Sequence, residues 1–477
     1  MRYNKLNCTE REDDSMDRTK IYSCPTEFDR GEKNNLIYDD TIGNGALVLE
    51  DGAKEGSFVS DVFELPAFAE ALMSWNVDAP EGSYVKPQAR VRVDGAWSSW
   101  LSWGEWAPAI LRSSHDVKGE LAEISCDTLS VYGAPEKLAD AAQIRCDFFR
   151  QEGAASPALR LLAITVRRSL EDRLKHTMGP IEIDNPAPAY SQLNRDPNMA
   201  RRMCSGVTTT VLLNAQGENL MPEEMALLQW DEDYEGIGNW SFSVSAAGAL
   251  GYEAYAVMTD IDGMKQLLME GYPLGAAVAY SNTEERATKR SPYVENTPGF
   301  TPGHLMTIRG MTTIDGREYV LVNDSYGEPD SAAILQYPLD QFQYAWKGVL
   351  YVVKDKLDGA GYTAGIRIPA KLQTTDFGDE WKLVVDGEEM LLPADFHGQR
   401  KKAVRGSIAY TVSDGREYIT DANREVFYTK VTTNGYVFLP ARALLMKNPM
   451  GDKGVITVYI MTNRGVTYMA EVSKADL

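Results

Sequence analysis

The sequence predicts a multidomain protein in which an α+β domain is flanked by two all-β, sandwich-like domains. Three observations carry that prediction. The chain has 477 residues, room for about three domains at roughly 100–200 residues each. Both ends of the chain consist of short β-branched and aromatic runs broken by turn residues, whereas the middle opens with helical segments and closes with strands. Its 44% hydrophobic and 10% aromatic residues suffice for packed cores, which excludes global disorder. The expected divisions are residues 1–172, 173–357 and 358–477.

In the first division, strand-like runs at Ser57–Leu65, Ala71–Val77, Tyr84–Val93, Ile124–Tyr132 and Gln143–Arg150 are separated by turn signals. These are Pro80-Glu81-Gly82, Asp94-Gly95 and Tyr132-Gly133-Ala134-Pro135, the texture of an antiparallel sandwich. The segment DGAWSSWLSWGEWAP places Trp97, Trp100, Trp103 and Trp106 three apart. An exposed row would stack sugars; that spacing on an irregular strand reads more simply as rings plugging a core. The five cysteines are Cys8, Cys24, Cys126, Cys146 and Cys204, with no CxxC pair and no Cys/His cluster at metal-ligand spacing. Cys126 and Cys146 lie in runs that a bridge would join if the two were neighbours; reduced, half-buried thiols are the simpler expectation.

From about residue 180 the texture changes. Pro186, Pro188 and Pro197 mark an extended entry, followed by helices over Ser205–Asn214, from MPEEMALLQW, over Ser241–Leu250 and over Ile261–Met269. Pro222 in a first turn, with Glu223 and Glu224 beside it, suits a helix start. Strands follow at Ala276–Tyr280, Leu305–Gly310, Glu318–Asn323 and Gly348–Lys354. Beyond Asp358-Gly359-Ala360-Gly361, runs at Trp381–Val385, Ser407–Val412, Glu425–Thr432, Tyr436–Leu439, Val455–Met461 and Val466–Val472 predict the third domain. Asp386-Gly387 and Asn434-Gly435 are its hairpin signals. It carries His397 but no set of catalytic residue types.

Charge narrows the function. Lys and Arg number 48 against 69 Asp and Glu, a net charge of −21 with a pI near 4.8. That balance argues against a nucleic-acid binder or a polybasic membrane module. No apolar run approaches the roughly 18 residues of a membrane span. The first residues hold no hydrophobic secretory segment, so the cytoplasm is the default location, and secretion requires a leader outside the given sequence. There is no HExxH, Walker loop, GxSxG elbow or complete GxGxxG. Asp231-Glu232-Asp233-Tyr234-Glu235 matches no complete calcium loop and reads as a solvated acidic loop. No cofactor or metal is expected.

What remains lies in the middle domain. Cys204 opens a predicted helix in RRMCSGVTTTVLL, where backbone N–H dipoles favour the thiolate. His304 follows a glycine at the start of a strand, and the next strand ends in VLVNDSYG, offering Asn323 and Asp324 to an imidazole. Cysteine, histidine and an Asp or Asn on neighbouring elements form the set that nucleophilic thiol catalysis needs. Successive strand residues face opposite ways, so only one of Asn323 and Asp324 faces the ring.

The stretch PAYSQLNRDPNMARRMCSGVTTTVLL, followed by GHLMTIRGMTTIDGREYVLVNDS, resembles the peptidase C39-like proteins among the papain-like cysteine peptidases. The resemblance covers about 180–356, and more weakly the N-terminal domain through SWNVDAPEGS and WSSWLSWGEW. It implies a papain-like fold, with Cys204 as nucleophile, His304 as general base and acid, Asp324 as orienter and Gln192 as oxyanion donor. It implies a peptide or protein substrate, hydrolysed through an acyl-enzyme. Gly206 and Ser325 depart from the family, which often has proline at both positions. Two other activities stay open: an amidase or acyl transferase acting on cell-wall peptides, and a non-catalytic protein contacting glycan or protein through its β domains. Neither flanking domain holds a nucleophile–base set, so both are expected to be accessories.

Overall fold

Period-two alternation in the first 167 residues folds into two antiparallel sheets facing each other. The computed structural model describes residues 18–108, 112–194, 200–231, 233–234, 236–357 and 361–374, and beyond these mainly the backbone of strands between 381 and 473. One sheet has eight strands, with Glu70–Asp78 and Ala158–Arg167 paired at its centre; the other has seven, centred on Ser83–Val93 and Ala139–Arg150. Trp75 and Val77 from the first meet Val85, Val91, Ile144 and Phe148 from the second in one core. The run expected at Ser57–Leu65 is two strands, Glu55–Val59 and Phe63–Phe68, and Ile124–Tyr132 is a hairpin turning at Cys126. Cys126 has a φ of 56° there, and Cys146 lies in the opposite sheet; both are free thiols. Cys24 is disulfide-bonded, and Cys8 lies outside the described residues.

The four tryptophans divide. Trp103 and Trp106 are fully buried. Trp97 and Trp100 are half-buried, each with its ring 4.8 Å from the Arg90 guanidinium, an arrangement in which the cation covers the aromatic faces. The sequence expectation of core plugs holds for two of the four.

The middle of the chain is built on a single antiparallel sheet. Its strands are β1 (Tyr252–Met258), β2 (Leu274–Tyr280), β3 (Thr301–Ile314), β4 (Arg317–Asn323), β5 (Ile334–Pro338) and β6 (Trp346–Lys356), in the order β1-β6-β2-β3-β4-β5, with the short strand Ile183–Asp184 paired to β3 as a seventh. Helices α1 (Cys204–Asn214), α2 (Pro222–Gln229), α3 (Trp240–Ala249) and α4 (Ile261–Met269) precede or interrupt the strands. All four expected helices are present within one or two residues; β1, β5 and a short helix at Leu339–Ala345 were not expected. Helix α1 is buried nearly all round, so its apolar and polar residues show no amphipathic stripe. Its threonines turn inward: Thr209 and Thr210 hydroxyls donate to the carbonyls of Ser205 and Gly206, 3.0 and 2.8 Å away.

Strand β1 lies at the edge of this sheet, where unpaired backbone groups would invite aggregation or demand water. The outer face of the N-terminal sandwich supplies the missing partners. The Ala254 N–H donates to Asn76 Oδ1 at 3.1 Å and Asn76 Nδ2 returns a bond to the Ala254 carbonyl at 2.6 Å. Ala256 and Met258 donate to the hydroxyls of Ser74 and Thr165, both at 3.0 Å. Strand Glu70–Asp78 therefore buries both faces: odd positions enter the sandwich core, even positions face the middle sheet. Helix α3 is gripped at both ends by the same sandwich. Asp127 accepts the Trp240 N–H at 2.6 Å at its start, and Arg160 donates to the Gly248 carbonyl at 2.6 Å at its end. A Cβ at Gly248 would lie 2.1 Å from Asn76 Nδ2, so only glycine permits this approach.

The loop read as solvated is also part of this junction. Asp231 is fully buried and accepts from the Ser114 N–H at 3.1 Å and Asn239 Nδ2 at 2.9 Å, while Asp233 pairs with His115. A buried carboxylate stapling two elements replaces the solvated reading for Asp231. At the other end of the chain, a six-stranded sheet holds Trp381–Val385, Glu388–Leu391, Ile366–Thr374, Val466–Ser473, Val455–Thr462 and Tyr436–Pro440. Its Ile366–Thr374 and Val466–Ser473 pair in parallel. Asp386 and Gly387 both have positive φ, as a two-residue hairpin requires. Thr467 and Arg367 reach Glu224 of α2 at 3.1 and 3.3 Å. His397, Asn434 and Gly435 lie outside the described residues, as does most of Asp358–Gly361. No helix among the described residues is long and apolar enough to cross a membrane.

Removing the Asn76 side chain leaves both backbone groups of Ala254 unpaired in a buried junction. Asn76→Ala should therefore destabilise the protein by roughly 2 kcal/mol or more, seen as a lower urea midpoint. An unchanged midpoint would show that other groups seal the edge of β1.

Candidate active site

Three elements converge on Cys204. It is the first residue of α1, whose N-cap Met203 offers no side-chain cap, so the first backbone N–H groups face the sulfur region. His304 sits in β3 opposite Val278 of β2. The His304 ring and the Ser205 and Leu305 backbone N–H groups are the neighbours that favour the Cys204 thiolate. A Cβ at Gly303 would meet open space, so this glycine keeps the approach to His304 clear rather than relieving a clash. Gly206 packs close: a Cβ there would lie 3.2 Å from Ile237 Cδ1 and from the Pro222 carbonyl.

The second ring nitrogen of His304 is fixed from the other side. Nε2 lies 2.8 Å from Asp324 Oδ1, which leaves Nδ1 as the ring's other nitrogen. Asp324 is fully buried just beyond the end of β4. Oδ1 also accepts the Tyr326 N–H at 2.9 Å, and Oδ2 accepts the Tyr280 and Tyr337 hydroxyls at 2.7 and 2.8 Å. Every oxygen of the buried carboxylate is thus satisfied. The rings of Tyr280 and Tyr326 meet the imidazole edge-on, each 6.1 Å away. Asn323 points elsewhere: its Nδ2 donates to the Ala187 and Pro188 carbonyls at 3.3 and 2.9 Å and so ties down the entry segment.

That segment delivers Gln192. Its backbone N–H donates to the Ser325 carbonyl at 2.8 Å, and the Ser325 hydroxyl donates to its Oε1 at 2.7 Å. Both residues are buried. The four residues singled out in the sequence therefore gather in one place: Cys204 on His304, His304 on Asp324, and Gln192 on Ser325, the next residue after Asp324. Sequence reasoning missed Tyr280 and Tyr337. Each ends a strand or nearly so, and nothing in a tyrosine's local pattern marks it as a donor to a carboxylate 44 or 13 residues away.

The electrostatics follow from burial and these contacts. Burial pushes the Cys204 thiol up, but the His304 ring and the two backbone donors outweigh it and hold the thiol below its ordinary range. Burial pulls His304 down, and the Asp324 carboxylate and the sulfur push it up to about 10. Burial raises Asp324, and His304 with Tyr280 brings it below the usual carboxylate value. Cys126 and Cys146 show the opposite outcome: burial and neighbouring carboxylates push both thiols up. The surroundings of Cys204 therefore favour a thiolate facing an imidazolium.

Comparison with known proteins places the chain's two larger regions. Residues 30–166 match the Peptidase C39 N-terminal domain, and residues 185–352 match the Peptidase_C39 like family. No curated protein matches the chain. Among solved structures, the peptidase domain of Streptococcus ComA, a bi-functional ABC transporter involved in a quorum sensing pathway, is 16% identical. It covers 35% of this chain and 98% of its own, with a TM-score of 0.25. A structure of carbohydrate-binding modules from the beta-sandwich superfamily is 12% identical, covering 32% of this chain and 58% of its own, with a TM-score of 0.16. Superpositions this weak carry no conclusion about this chain.

The thiolate–imidazolium pair makes a prediction about selectivity. At neutral pH, iodoacetamide should modify Cys204 before Cys126 or Cys146, as mapped by peptide mass. The Cys204 rate should reach its plateau below the roughly 8.5 of a free thiol and change again near pH 10, where His304 loses its proton. His304→Ala removes the partner that lowers the thiol, so its half-maximal rate should move up in pH. Cys204 reacting last in the folded protein would contradict the arrangement.

Proposed function

Residues 185–352 belong to the Peptidase C39-like family, and from that premise we propose that this chain is a papain-like cysteine peptidase hydrolysing a peptide bond through a Cys204 acyl-enzyme. The observation that carries this reading is the 2.8 Å contact of Asp324 with His304 Nε2, beside a Cys204 thiol that the same His304 ring draws below its ordinary range. The three divisions near residues 172 and 357 then become a peptidase domain and two non-catalytic β domains, the first of which seals and orients the peptidase sheet.

In this reading the thiolate attacks the carbonyl carbon, a C–S bond forms and the carbonyl π pair moves onto oxygen. Gln192 donates an amide N–H to that oxyanion, and a neutral donor does so without protonating the thiolate. Collapse of the intermediate breaks the C–N bond, and the departing amine takes its proton from the His304 imidazolium. Water then attacks the thioester while the now-neutral His304 takes its proton; the C–S bond breaks and the thiolate–imidazolium pair returns. Asp324 stays ionised throughout, orienting the ring and stabilising its charged form, as a carboxylate does more strongly than an amide.

The test is cleavage of a peptide library read by mass spectrometry, with trapping of the acylated thiol. Cys204→Ala should abolish turnover. Gln192→Ala should lower kcat by about 10²–10³ with little change in KM. Asp324→Asn should lower kcat and narrow the active pH range from its alkaline side, because the imidazolium loses the carboxylate that raises its pKa. Turnover that survives Cys204→Ala would refute the assignment.

A further inference from the structure

We propose that the cleft between the N-terminal sandwich and the segment leading into the middle domain binds a phosphate group, free or carried by a small molecule. None of its residues belongs to the Cys204 site, and the proposal does not rest on the peptidase reading. The cleft encloses about 210 Å³. Arg18, Arg167, Arg168 and Lys175 line it against one carboxylate, Asp172, with Phe68 and Val166 among its apolar residues. These cations converge in a chain whose net charge is −21, so the positive surplus is local to this place.

Pairing within the protein does not use up that surplus. Asp172 lies 3.1 Å from Arg18 and 3.5 Å from Lys175, and Glu70 lies 2.5 Å from Arg167. The Arg168 side chain is exposed and has no polar partner among the described residues. An adjoining crevice shares Arg18, Arg167 and Asp172 and reaches Arg173. Arg173 is buried, and its guanidinium donates to the carbonyls of Leu170, Gln343 and Tyr344 rather than to a carboxylate. Lys347 likewise donates to a carbonyl, that of Arg290, at 2.9 Å. Burial and the neighbouring Arg173, Arg167 and Arg290 pull its ammonium below the ordinary range. Cations held away from water are costly until negative charge answers them, and here the carboxylates are too few.

The chemistry of the lining selects among anions. A carboxylate carries one charge, and a single guanidinium fork satisfies it. A phosphate dianion brings twice the charge and three terminal oxygens, which suits several forks together with a lysine point charge. The cleft is smaller than the roughly 300–1,000 Å³ of sites for drug-sized ligands, so the ligand is the ion itself or a small ester. Asp172 is the one lining group that opposes it.

The test is calorimetric titration of the full-length protein with inorganic phosphate at fixed ionic strength, above the second ionisation of phosphate. Saturable binding is expected. Arg168→Gln and Lys175→Gln should each weaken it about tenfold, the value of one charge-assisted hydrogen bond, with the melting temperature of the unliganded protein unchanged. Asp172→Asn, which removes the opposing charge, should tighten it. Arg317→Gln removes a cation from β4, outside the cleft, and should leave it within twofold. Phenyl phosphate supplies a second arm: tighter binding than inorganic phosphate assigns the site to a phosphorylated molecule, weaker binding to the free ion, and either supports it. Absence of saturable binding, or binding that Arg168→Gln and Lys175→Gln leave intact, overturns the site. Equal weakening by Arg317→Gln reduces it to the effect of net charge, and acetate binding as tightly as phosphate overturns the choice of anion.

Discussion

Burying the ionised carboxylate of Asp324 is the constraint around which the site is organised. Such a charge is tolerated away from water only when it is paired and its lone pairs are occupied. Its four donors come from four elements: Tyr280 from β2, His304 from β3, Tyr326 from the following turn and Tyr337 from β5. The sheet must therefore be assembled, in register, before the carboxylate is satisfied. Once it is, His304 has one orientation and one nitrogen left over, and the ring in that orientation lowers the Cys204 thiol. The Asp324–His304 geometry is in this sense a by-product of solving a desolvation problem.

The same logic of satisfying buried polar groups joins the N-terminal sandwich to the middle sheet. An edge strand normally exposes its backbone or hides it under another strand. Here β1 is matched by Ser74, Asn76 and Thr165, which imitate a neighbouring strand with side chains. Side-chain partners fix the relative position of the two bodies more narrowly than an apolar interface would, because each bond tolerates only a few tenths of an ångström. The grip of Asp127 and Arg160 on the two ends of α3 extends that constraint toward the cleft. Burial raises Asp127 to about 6, so the carboxylate that caps α3 loses its charge on mild acidification.

Local signals were enough to find much of this. Prolines, glycines and first-turn acids placed α1 to α4, and apolar runs placed most of β2, β3, β4 and β6, within a few residues. Cys204 and His304 were legible as chemistry because a helix start and a strand start are local features. The missed strand β1 reads as a run of Tyr and Ala around one Glu, and it becomes a strand only because neighbours on both sides complete its hydrogen bonds. Trp97 and Trp100 were indistinguishable from Trp103 and Trp106 in spacing; what separates them is Arg90, which reaches the first two from another strand.

The sequence by itself determined the order of the elements, the presence of a helix-start cysteine, a strand-start histidine and two carboxylate or amide candidates, and the alternation that makes Asn323 and Asp324 mutually exclusive partners of His304. These depend on residue type and short spacing alone. Only the tertiary structure decided between those two residues. Asn323 is drawn toward the Ala187 and Pro188 carbonyls and Asp324 toward two tyrosine hydroxyls, and these donors and acceptors lie 13 to 136 residues away in the chain. It also decided that Asp231 is buried, because the backbone amide it accepts belongs to Ser114 in another domain. Partners so distant leave no trace in a local window, since loop closure and sheet register, not neighbouring residues, bring them together.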